Sequence, residues 1–96
     1  MHPLLLPLRK IGWLLWDPIG LAGDLLDHRE AVADEYDEYV LHVAAQLDSG
    51  VDEKACVRYL IYVETNDMGL RRPDAAERAT LTVRAIAQHL AADMRA

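Results

Sequence analysis

The chain has 96 residues and a mass of 10.8 kDa, enough for one domain that buries roughly 65% of its unfolded surface; length alone excludes a two-site dehydrogenase, a barrel enzyme or a repeat array. Hydrophobic residues make up 52% and charged residues 27%, which places the chain among folded globular proteins with a core to bury. A single cysteine excludes an internal disulfide and a multi-cysteine zinc site, and fits a reducing cytoplasm.

The net charge of -6 is unevenly placed: residues 24–53 carry ten acids against one base, whereas residues 71–96 carry five bases against three acids. An acidic centre repels phosphates, so nucleic acid is not an expected partner and a basic protein is. The leucine-rich start is interrupted by Arg9 and Lys10, so no run approaches the roughly 20 apolar residues that span a bilayer. It also lacks the charge order and small-residue cleavage site of a secretory signal; stable membrane insertion is not expected, and the cytoplasm is the expected location.

The periodicity predicts an all-α fold over residues 1–96: a single domain, a small open array of four helices with the last three running up-down-up. The first helix is expected from about Leu4 to Trp16, with regular helix starting near Leu6 because Pro3 and Pro7 restrict its beginning. Asp17-Pro18 ends it, since a residue before proline avoids the helical basin. Between Asp17 and Ala33 a linker is expected, with a short turn of helix at residues 21–30 that Asp27 and Glu30 could cap.

The second helix starts at Asp34. Tyr36, Tyr39, Val40, Val43, Ala44 and Leu47 line one face at 3.6 residues per turn, and Gly50 stops it. The third starts after Asp52, an N-cap, and its stripe of Cys56, Tyr59, Leu60 and Val63 is widened by Val57, Ile61 and Tyr62, which predicts a place in the middle of the bundle. Gly69 closes it. The fourth has Pro73 near its first turn and Ala76, Thr80, Val83, Ala87, Leu90 and Met94 in register, with Ala79 and Ile86 beside them, to about Asp93. Short connections at Gly50 and at residues 69–72 force antiparallel neighbours, and the Trp-rich first helix covers the open side.

Asp34-Glu35-Tyr36-Asp37-Glu38-Tyr39 is the most unusual local composition. Acids in a first turn complement the helix dipole, and the same residues can present tyrosines and carboxylates to a basic partner. The segment lacks the glycine and glutamate placement of a calcium loop. Glu38 and His42, four apart, do not complete a di-iron set, and the other histidines form no cluster. No metal and no cofactor are expected.

Cys56 lies on an apolar face, as a core residue does; Ser49, the lone serine, has no nucleophile elbow around it, and no glycine-rich phosphate loop occurs. Arg71 and Arg72 are read as solvated or paired with Asp67 or Asp74. Trp13-Leu14-Leu15-Trp16 reads as core, with a homo-oligomer through the Trp13/Trp16 face and membrane contact as alternatives.

Trp16-Asp17-Pro18-Ile19-Gly20, then Asp34-Glu35-Tyr36-Asp37 with Tyr39, then Gly50, then Glu64 with Met68-Gly69-Leu70, in that order, resemble the YugE-like proteins, small bacterial helical proteins of uncharacterised function. The resemblance implies an open four-helix array and no activity. It also implies that Asp17, Asp34, Tyr36, Asp37, Tyr39 and Glu64 matter together, either because the Asp17 turn docks near the acidic helix start, with Asp17 capping a backbone end, or as a recognition surface.

The leading functional expectation is a non-enzymatic protein-interaction domain, in a narrower form an immunity-type toxin inhibitor, with Asp17, Asp34, Glu35, Tyr36, Asp37, Glu38 and Tyr39 as the partner-binding set. The alternatives are a small metal-dependent hydrolase using Asp17, Asp34, Asp37 and His42, or a structural homo-oligomer.

Overall fold

The computed structural model describes residues 5–18 and 36–95. Among these, the elements are all helical. Helix α1 spans Leu5–Ile11 and runs on into a π-helical segment, Gly12–Trp16. Helix α2 spans Asp37–Asp48, α3 spans Glu53–Tyr62 and continues as a second π-helical segment, Val63–Asp67, and α4 spans Ala75–Arg95. No strand occurs among the described residues, and no helix there is long and apolar enough to cross a membrane. The turn of helix expected at residues 21–30, and the start of α2 expected at Asp34, lie outside the described residues.

Local chemistry sets the boundaries. The Asp52 carboxylate accepts the Ala55 N–H at 2.8 Å and so caps an amide that α3 cannot satisfy itself. At the other end of α2 the Val51 N–H donates to the Gln46 carbonyl at 2.9 Å and the Gly50 N–H to Leu47 at 3.1 Å, a Schellman closure that needs the left-handed φ of +98° found at Gly50. Both π segments end on i→i−5 bonds of 2.9 Å, from Asp17 N–H to Gly12 and from Met68 N–H to Val63. Asp17 then turns left-handed, at φ +32° and ψ +59°, ahead of Pro18.

The core gathers Leu8, Trp13 and Trp16 from the first helix, Tyr36, Val40, Val43 and Ala44 at and along α2, Cys56, Leu60 and Val63 from the third, and Ala79, Val83 and Ile86 from α4. Tyr36 sits against both indoles, with ring centroids 4.9 Å from Trp13 and 5.5 Å from Trp16, and Tyr39 meets Trp16 edge-on at 5.7 Å. Both tryptophans are therefore enclosed by their own chain. The indoles at which a self-association surface was expected lie inside the domain, and what that segment leaves outside is Leu14, 70% exposed.

Two expectations about packing are corrected. The helix in the middle is α4, which packs against α1, its π segment, α2 and α3, while α3 leaves Lys54, Arg58 and Tyr62 in water. Small residues on α4 allow that close approach. The buried stripe of α4 is also rotated from the expected register: Ala75, Ala79, Thr82, Val83 and Ile86 face inward, and Ala76 faces out. Thr82 tolerates full burial because its hydroxyl donates to the Arg78 carbonyl at 2.7 Å.

Candidate interaction surface

The residues singled out by sequence divide between an interior polar clamp and an outer face. The clamp centres on Arg78 of α4. Its guanidinium donates to both Glu64 oxygens at 3.0 and 2.6 Å and to the Trp16 carbonyl at 2.8 Å, so one cation binds a buried carboxylate and the end of the first helix together. Arg78 Nε lies 3.0 Å from Asp74 Oδ1, close enough for an ion pair but without the angle of a hydrogen bond. Arg72 adds bonds of 3.1 and 3.2 Å to the Asp17 and Pro18 carbonyls. Cations at the carboxyl end of a helix meet unpaired carbonyls and the negative end of its dipole.

Burial pulls the Arg78 pKa down, but the hydrogen-bonded Glu64 carboxylate and the adjacent charge of Asp74 outweigh it and leave the guanidinium above its ordinary value. Contact with Arg78, helped by Arg72, in turn holds the Asp74 carboxyl below the usual carboxylate range. Taking a carboxylate and a guanidinium out of water is costly, and only two-pronged geometry of this kind offsets it.

Asp17 accepts the Tyr36 hydroxyl at 2.7 Å, which ties the end of the first helix to the N-cap of α2. That places the Asp17 turn beside the acidic helix start, with the hydroxyl of the buried Tyr36 as a partner of Asp17 Oδ1. Asp37 is held by Arg9 through two bonds, 3.0 and 2.6 Å. Of the expected partner-binding set, then, Tyr36 is core, Asp37 and Asp17 are engaged within the chain, Tyr39 is half-buried against Trp16, and Glu38 is exposed. Asp34 and Glu35 lie outside the described residues.

The outer face lies on α2 and α3. The exposed His42 stacks on Tyr59 with ring centroids 4.4 Å apart. Burial, followed by the charges of Glu38, Tyr39 and Asp67, pushes the Tyr59 hydroxyl pKa up. The charges of Glu38 on α2 and of Asp67 in the second π segment thus both act on this ring. Beside it lies a cleft of about 190 Å³ lined by His42, Val43, Gln46, Val51, Ala55, Cys56 and Tyr59. Sequence periodicity placed Tyr59 on an apolar stripe; its stacking on His42 has no signal in spacing, because the two belong to different helices.

Little reactive chemistry is available there. Burial, reinforced by Asp52 and Glu53, pushes the Cys56 thiol up, which keeps it protonated and a poor nucleophile. Asp17 and Asp37 are each engaged elsewhere, His42 faces Tyr59, and no three His, Cys, Asp or Glu side chains among the described residues form a set that could hold a metal ion.

Comparison with the profiles of known protein families, with curated proteins and with solved structures finds no match to this chain.

Proposed function

We propose that this chain is a non-enzymatic protein-interaction module that takes a basic protein on its α2–α3 face. The observation that carries the reading is the aromatic pair of His42 and Tyr59 together with the exposed carboxylates of Glu38 and Asp67, whose charges act on Tyr59 and neither of which forms an ion pair among the described residues. Uncommitted charge around a partly exposed ring is what a partner of opposite sign recognises: the charges steer encounter and the ring supplies contact area at little entropic cost. Tyr62, one turn beyond Tyr59 and 57% exposed, extends the aromatic area. The narrower form, an immunity-type inhibitor that captures a bacterial toxin, rests on class analogy.

The test is quantitative capture from lysate by immobilised parent and by Glu38→Gln/Asp67→Asn. The double variant captures about tenfold less of a basic protein than the parent, a loss of about 1.4 kcal/mol, and melts at the parent's temperature. Equal capture by both proteins contradicts the reading.

A further inference from the structure

A second face of the molecule carries the opposite charge. Between α3 and α4 lies a cleft of about 410 Å³, lined by Glu53, Lys54, Val57, Arg58, Thr80 and Arg84. Lys54 and Arg58 stand one turn apart on α3, Arg84 faces them from α4, and all three are exposed. The arginines of the clamp and of α1 are committed: Arg9 to Asp37, Arg72 to Asp74, Arg78 to Glu64 and Asp74. Among the described residues Lys54, Arg58 and Arg84 form no ion pair, although the protein as a whole is strongly acidic. Among the described residues that line the cleft Glu53 is the one carboxylate, so three cations stand against one anion.

We propose that this cleft binds a small phosphorylated molecule. Three donors-only side chains converging from two helices suit a compact dianion, which can accept several charge-assisted hydrogen bonds at once. The size falls within the range of about 300–1,000 Å³ typical of small-ligand sites, and Val57 supplies an apolar patch for a non-ionic portion. The Thr80 hydroxyl is already donated to the Ala76 carbonyl at 2.7 Å, so the three cations carry the recognition. A long polyanion is disfavoured, because it would lie over the acidic remainder of the surface. A small anion feels mainly the charges within about 8 Å, the screening length at physiological salt.

The test is a titration of the full chain with sodium pyrophosphate at low salt, followed by amide chemical shifts, with a nucleoside diphosphate as a second arm. Saturable shifts at Lys54–Arg58 and Thr80–Arg84, with a Kd of about 1 mM or tighter, are expected. Arg58→Gln/Arg84→Gln binds at least about tenfold more weakly, whereas Arg71→Gln, an exposed arginine outside the cleft, binds as the parent does. Tighter binding of the nucleoside diphosphate assigns the apolar patch to its base and sugar; equal binding assigns the site to the phosphate group alone. Absence of saturable shifts at these positions, or unchanged affinity in a folded double variant, overturns the proposal.

Discussion

Arg78 and Glu64, from α4 and the π segment after α3, face each other through two hydrogen bonds of 3.0 and 2.6 Å, with the Glu64 carboxylate almost wholly shielded from water. Through its third bond, to the Trp16 carbonyl, the same guanidinium fixes where the first helix ends. Removing one member leaves the other charged and buried, so Arg78→Met alone lowers unfolding free energy by about 3–5 kcal/mol in urea titration. Glu64→Leu/Arg78→Met recovers part of that loss. Recovery stays incomplete, because no side chain then meets the Trp16 carbonyl.

Tyr36 combines a ring between two indoles with a hydroxyl on Asp17. Tyr36→Phe keeps the ring and loses a hydrogen bond to a carboxylate, a cost of about 1.5–3 kcal/mol. Tyr36→Ala also empties the space between Trp13 and Trp16 and costs about 3–5 kcal/mol. Thermal unfolding of the two variants orders them in that way.

Gly12 stands where α1 passes into its π segment, and a Cβ there would meet Val40 Cγ1 at 3.1 Å. Alanine gains about 1 kcal/mol of helix propensity over glycine, set against crowding in a fully buried contact. The two effects separate in a double-mutant cycle: Gly12→Ala is more favourable by about 1 kcal/mol in a Val40→Ala background than in the parent.

The fold was legible where the information is local. Asp52 as a cap, Gly50 and Gly69 as stops, and the stripe from Tyr36 to Leu47 all follow from dihedral preference and helical period, and each expected role matches the structure. Placement between helices was not legible. Glu64 and Arg78 are 14 residues apart, Asp17 and Tyr36 19, and Arg9 and Asp37 28, so no spacing rule pairs them. The rotation of the α4 stripe has a similar cause: with Ala, Thr and Val spread around the helix, small residues leave the period intact but its phase weakly defined, and packing against three helices sets it. The acidic segment was legible only in part, for another reason. Composition counts charges, but Arg9 neutralises Asp37 and the indoles enclose Tyr36, so only part of that segment reaches the surface.

Cys56 gives stability an alkaline dependence. Its thiol ionises at a higher pH in the folded chain than the ordinary 9.0, so below 9.0 both states keep the proton and above it the unfolded chain loses it first. Folding stability therefore declines from pH 9.0 upward until the folded thiol also ionises. Urea unfolding at about pH 8 and about pH 10 shows a smaller decline for Cys56→Ala than for the parent. Native protein resists thiol alkylation at the lower pH, and urea exposes the single site.

The surface reading rests on which helices meet the partner, and hydrogen exchange of the chain alone and with its captured protein measures that directly. Binding slows exchange at residues 38–42 of α2 and 59–67 of the third helix and its π segment, leaving α1 unchanged. Slowing confined to α1 or to α4, with the Glu38, His42, Tyr59 and Asp67 neighbourhood unaltered, contradicts the account.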